Sequence, residues 1–149
     1  MAKLTFEGLD ACMLSMKEVA DLPDDTANAM LQAGGEIVAA AQRRNIMSAL
    51  QQRTGNLAKS VTVTPKMKTR NGTERFITVY PRGKHHTYNH QGTDKIATNN
   101  EVAFVNEYGA KKRGISPTGM IRKANEESAG AAVDAQYQVY DAWLKTKGM

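Results

Sequence analysis

Three groups of residues have types and spacings that could do chemistry. His86, His90 and Asp94 stand at i, i+4 and i+8. On a helix that spacing would gather two imidazoles and a carboxylate on one face, as a metal site needs. The intervening Thr87-Tyr88-Asn89 and Gln91-Gly92-Thr93 are poor helix formers, and the glutamate of the zinc-protease pattern is absent. A polar loop is therefore expected there, and no metal or other cofactor. Gly55-Asn56-Leu57-Ala58-Lys59-Ser60 ends like a phosphate-binding loop. That loop needs glycine directly before the lysine and a strand before the loop, whereas Ala58 and a helical segment occupy those places. Cys12 is the single cysteine, which excludes a disulfide framework within the chain and a cysteine-based zinc site. It lies in an expected amphipathic helix, where an inert buried thiol is the default. Glu126 and Glu127 lie in the first turn or two of another expected helix, where carboxylates complement the dipole. No G-x-S-x-G elbow is present. The chain is not expected to be an enzyme.

Charge is the other chemical resource. The chain has 149 residues and a formal net charge of +5, unevenly distributed. Residues 1–42 carry two basic and seven acidic side chains, a balance of −5. Residues 43–84 carry ten basic residues against Glu74 alone, a balance of +9. Arg53, Lys66, Lys68, Arg70, Arg75, Arg82 and Lys84 of that segment are candidates to line a DNA channel or to meet acidic groups of another subunit. Aromatic interleaving is thin, with Phe76 and Tyr80 on one strand face, so phosphate contact without sequence reading is the most this segment supports. No apolar run approaches the roughly 18 residues of a membrane span, and no signal peptide is read at the start. A soluble protein made in a reducing compartment is expected.

The elements that must position these groups follow from periodicity and punctuation. Leu9, Met13, Met16 and Ala20 predict a helix over residues 4–21, stopped by Leu22-Pro23. Asp24 or Asp25 caps a long second helix reaching about Leu50, with Ala27, Met30, Leu31, Gly34, Ile37, Val38 and Ala41 on its apolar face. Residues 61–64 and 75–80 read as strands joined by a turn at Asn71-Gly72, and residues 101–105 as a third strand. Between them, residues 81–99 have almost no apolar content and are expected to form an extended polar loop. Ser116-Pro117-Thr118 opens a final helix from about Met120 to Lys145. That helix bears two stripes: an Ala-rich one suited to packing, and a second with Val133, Tyr137, Tyr140 and Leu144, joined by Trp143 near its end, as a candidate subunit interface. A helix sandwiched between sheet and first helix is the alternative use of two stripes. One domain over 1–149 is expected, α+β in class. It would contain a small antiparallel sheet of about three to four strands against a long helix of the N-terminal half and a C-terminal helix.

Two short motifs stand in this framework. Arg53-Thr54-Gly55-Asn56-Leu57-Ala58-Lys59-Ser60-Val61 follows the long helix, and Val102-Ala103-Phe104-Val105-Asn106-Glu107-Tyr108-Gly109-Ala110 precedes the proline loop. In order and separation they resemble the neck proteins of long-tailed double-stranded DNA bacteriophages. These are the tail-completion, head–tail joining or minor tail protein family of the lambdoid siphophage type. Thr54, Gly55, Leu57, Ser60 and Val61 match the family's T-G-x-L-x-x-S-(V/I) segment. Phe104, Val105, Asn106, Glu107, Gly109 and Ala110 match its second motif. Pro117-Thr118-Gly119-Met120 and Arg122-Lys123-Ala124 stand in for the family's Pro-Phe entry and Arg-Pro-Ala run. These positions read as fold-determining, with Gly55 and Gly109 as turn makers. The resemblance implies a structural virion protein of the neck, at the top of the tail, assembled in the host cytoplasm. It implies a homo-oligomeric ring, a hexamer, between the tail terminator and the head connector or head-closure protein, with DNA passing non-specifically through its lumen and no membrane partner. The alternative is a non-specific nucleic-acid-binding protein using the basic 43–84 segment.

Overall fold

The computed structural model describes residues 22–50, 55–72 and 74–148. The helix expected over residues 4–21, with Cys12, and the side chains of Arg53 and Thr54 lie outside the described residues. Two 27-residue helices dominate: α1, Asp24–Leu50, and α4, Met120–Thr146. Each is about 40 Å long at ~1.5 Å per residue. They run antiparallel, as cross-contacts show: Gln42 Nε2 donates to Asn125 Oδ1 at 2.9 Å and Asn45 Nδ2 to the Met120 carbonyl at 3.4 Å, while Gly34 lies against Gln136. Small residues permit the close approach. A Cβ on Gly34 would lie 2.6 Å from Gln136 Nε2. The adjacent Gly35 faces the strands, where a Cβ would fall 2.6 Å from Ile77 Cδ1 and 2.9 Å from Val63 Cγ1. Helix α1 therefore packs α4 on one side and strands on the other, which is why its buried set is wider than one stripe.

A single turn, α2 (Asn56–Lys59), follows, and then six strands form three antiparallel pairs. β1 (Val61–Val63) pairs with β4 (Val79–Pro81), and β2 (Lys68–Arg70) with β3 (Glu74–Phe76). These four are one interrupted hairpin. Pro65 has no N–H to give the ladder. Between the two pairs, Thr64 N donates to the Thr78 carbonyl at 2.9 Å and the two threonine hydroxyls meet. Asn71 and Gly72 both have positive φ (52° and 72°), as the turn signal predicted.

β5 (Lys84–His90) and β6 (Thr93–Thr98) form a second hairpin, where an extended polar loop is expected from composition. β5 is exposed throughout and β6 nearly so, so no apolar alternation marks them in the sequence. A two-residue turn, Gln91-Gly92 at φ 52° and 77°, sets the register. The Asn89 side chain clamps it, accepting from Gly92 N and donating to Asp94 Oδ1, each at 3.1 Å.

The expected third strand at residues 101–105 is instead part of helix α3, Asn99–Tyr108. Its entry is a capping box: Thr98 Oγ1 accepts from Glu101 N at 3.2 Å, and Glu101 Oε2 accepts from Thr98 N at 2.9 Å. The core is assembled from Ala39 and Ile46 of α1, Leu57 and Ala58 of α2, Val61 of β1, Ala103 of α3 and Met120 of α4. The architecture is α+β as expected, with a long helix of the N-terminal half and a C-terminal helix, and the strands form three two-stranded antiparallel sheets where the sequence suggests one small sheet of about three to four strands.

Candidate assembly surface

The described part of the Thr54–Val61 segment (Gly55 to Val61) fixes how α1 hands over to the strands. Gly55 takes φ 65° and begins α2, a left-handed conformation costly for other residues. Leu57 is completely buried in the core. Ser60 Oγ donates to the Leu57 carbonyl at 2.6 Å, holding the end of that turn. Arg43 of α1 locks the following strand, because its Nε and Nη2 both donate to the Val61 carbonyl, at 3.2 and 2.8 Å.

The second motif fixes the junction of α3 and α4. Asn99, Ala103 and Glu107, four residues apart, form the buried face of α3. Glu107 is 8% exposed. Its Oε2 accepts from Ile121 N at 2.8 Å and its Oε1 from Arg122 N at 3.0 Å. The N-cap of α4 is Gly119, with no side chain to offer, so Glu107 serves from another helix as the cap and places its carboxylate at the positive end of α4. Gly109 has φ 78°, and a Cβ there would sit 2.8 Å from the Ile115 carbonyl and 2.9 Å from Pro117 Cδ. Thr118 completes the clasp, its N and Oγ1 both donating to the Asn106 carbonyl at 3.0 and 2.9 Å.

The basic candidates divide by environment. Arg75 is spent within the chain, with Nη2 3.1 Å from Asp24 Oδ1 and Nη1 donating to the Leu22 carbonyl at 2.9 Å. Arg82 is half-buried over the Tyr80 ring at 5.0 Å. Arg70 is exposed and lies 5.4 Å from the centre of Phe76. Lys66, Lys68 and Arg70 alternate along the exposed arm of the first hairpin, and Lys84 opens the second. Arg53 lies outside the described residues. The basic segment is thus an arm rather than one continuous patch.

Of the candidate subunit interface, Val133 and Tyr137 are 50% and 66% exposed. Tyr140, Trp143 and Leu144 are half-buried, with Tyr140 and Trp143 stacked at 6.0 Å. Asp141 on the outer side of α4 accepts from Lys145 Nζ at 2.7 Å, and this hydrogen bond and charge raise the Lys145 pKa above its ordinary value. Phe104 and Tyr108 of α3 are further exposed aromatics, 63% and 67% accessible with rings 4.7 Å apart. Reading their segment as a strand hid this i, i+4 pair; the Thr98-x-x-Glu101 box was the signal for the helix that presents it. Two open grooves flank α3. One, of about 800 Å³, lies against the start of α4 and is lined by Phe104, Tyr108 and Arg122. The other, of about 780 Å³, lies under the second hairpin and is lined by Ile96, Val102, Val105 and Ile115 with Lys95 and Arg113.

The histidines sit on the second hairpin. His85 Nδ1 is 2.9 Å from Asn99 Oδ1, and His86 lies between the His85 and Tyr88 rings. His90 pairs with Thr93 at the turn. Among the described residues, no group of three or more His, Cys, Asp or Glu side chains could hold a metal, and no helix is long and apolar enough to cross a membrane. The arrangement offers exposed aromatics, grooves and charge, which are means of contact.

Comparison with protein families matches residues 10–92 to the HK97-gp10-like family, described as "Bacteriophage HK97-gp10, putative tail-component". Neither the curated proteins nor the solved structures give a match.

Proposed function

The chain belongs to the HK97-gp10-like family of bacteriophage tail components, and from that premise we propose that it is a structural protein of the neck. It forms a ring at the head-proximal end of the tail, joins the tail to the head connector, and lets DNA pass. The family match carries the reading, since it covers more than half of the chain and names a tail-component family rather than an enzyme family. The surface is consistent with it. Val133 and Tyr137 on α4 and Phe104 and Tyr108 on α3 are two i, i+4 pairs of large side chains left in water, which suit contact with other virion proteins. Lys66, Lys68 and Arg70 form an arm that would face either DNA or an acidic neighbour.

Rings arise from heterologous contacts whose rotation closes. The buried clasp at Glu107 and Gly109 holds α3 and α4 as a fixed platform for such contacts. The alternative, a free nucleic-acid-binding protein, draws on the same basic arm. A C-terminally tagged chain located with a gold-conjugated antibody in purified virions tests the choice. Label at the head–tail junction is expected. Label along the tube would overturn the neck assignment, and no label in virions together with tight, steeply salt-dependent binding of duplex DNA by the monomer would favour the alternative.

A further inference from the structure

We propose that the groove between the second hairpin and α3 receives the outer face of α4 from a second copy of this chain. The inference deepens the ring reading above and rests on self-association being part of it. Charge complementarity selects the occupant. Between Ala124 and Leu144, α4 carries Glu126, Glu127, Asp134 and Asp141 and no lysine or arginine. At ~100° per residue, Glu126, Val133, Asp134, Tyr137 and Asp141 fall within about 100° of arc, and all five are exposed. The face is therefore acidic with an apolar centre, its free carboxylates being Glu126 and Asp134, while Asp141 shares its charge with Lys145 at 2.7 Å.

The groove has the opposite composition. Its apolar floor includes Val102, Val105 and Ile115, and Ile96, 56% exposed, projects from β6. Lys95 and Arg113 stand at its rim, and no ion pair within the described residues engages either. Glu101 is the acidic residue of the lining, and its carboxylate is committed to the α3 cap through Thr98 N at 2.9 Å. Val133 and Tyr137 are spaced to enter such a groove as i and i+4 anchors of a helix. Asp134 and Asp141 would then lie near Lys95 and Arg113. Donor and acceptor surfaces are different parts of one chain, so the contact is heterologous and propagates from copy to copy, closing where the rotation permits.

Two charge reversals test this in the full-length protein by sedimentation velocity: D134K/D141K on the helix and K95E/R113E on the groove. Wild type is expected to self-associate beyond a dimer. Each double variant is expected to lose at least tenfold in association constant while keeping the wild-type circular dichroism and melting profile. An equimolar mixture of the two should recover association, because reversed helices meet reversed grooves. A mixture that stays dissociated, variants that associate like wild type, or a wild type that remains monomeric would each overturn the contact. So would K95E/R113E losing binding to duplex DNA with self-association unchanged, which would assign the groove to nucleic acid. The tail-component reading is judged separately by the gold label in virions, whose position does not depend on which surfaces pair.

Discussion

Replacing Glu107 tests the physical core of this structure, because one carboxylate joins the two helices that carry the exposed aromatics of the proposed assembly surface. In Glu107→Ala, Ile121 N and Arg122 N lose acceptors at 2.8 and 3.0 Å. Hydrogen bonds to a charged group contribute about 1.5–3 kcal/mol each but are not additive. A helix N-cap contributes about 0.5–2 kcal/mol, and a carboxylate near a helix N-terminus adds up to about 2 kcal/mol where it is partly buried. The carboxylate is 8% exposed as a residue and Gly119 has no substitute to offer, so a loss of about 3 kcal/mol is expected. Glu107→Gln retains one carbonyl acceptor but loses the charge, and should cost about half as much. With a urea slope of about 2 kcal/mol per M, the midpoint should fall by roughly 1.5 M in the alanine variant and by roughly 0.7 M in the glutamine variant. Equilibrium urea unfolding followed by circular dichroism reads both. An alanine variant within about 0.2 M of wild type would refute the cap, and a glutamine variant equal to wild type would refute the role given to charge.

Gly109→Ala should destabilise by about 2–3 kcal/mol, since it combines a left-handed φ of 78° with a Cβ 2.8 Å from the Ile115 carbonyl; thermal melting checks it. The neighbouring glycines of α1 should respond to different degrees in thermal melting. Gly34→Ala gains about 1 kcal/mol of helix propensity but sets a Cβ 2.6 Å from Gln136 Nε2 and 3.0 Å from its Cγ, so gain and crowding offset and stability should change by less than about 1 kcal/mol, whereas Gly35→Ala meets the stiff Val63 side chain at 2.9 Å and should destabilise clearly. Arg43→Ala removes both donors to the Val61 carbonyl and should lower stability by about 1–2 kcal/mol in urea unfolding. Tyr137→Ala, at a 66% exposed position, should leave the melting temperature of the monomer within about 2 °C while weakening self-association in sedimentation.

The two long helices were legible because their ends carry strong signals. Leu22-Pro23-Asp24-Asp25 begins one, Pro117-Thr118 begins the other, and repeating apolar positions sustain both. Helix α3 was not, and the reason lies in its buried face. Asn99, Ala103 and Glu107 are the residues turned inward, so hydropathy sees two polar residues and an alanine where a core stripe should be. The apolar Val-Ala-Phe-Val run reads as a strand instead, although Phe104 is 63% exposed. The second hairpin escaped for a related reason. A ribbon with β5 exposed throughout and β6 nearly so leaves no alternation to read, and its Gln91-Gly92 turn is less marked than the Asn71-Gly72 turn of the first hairpin. Exposed aromatics are legible where they fall on a recognisable helix, as at Tyr137. They are hidden where the helix itself is hidden, as at Phe104 and Tyr108.

Particles assembled without this chain test the central claim most directly. In a lysate of the phage carrying a nonsense mutation in its gene, electron microscopy should find filled heads and separate tails. Purified chain added to that lysate should restore joined particles. Heads joined to normal tails in its absence, at wild-type frequency, would contradict the assignment to the neck.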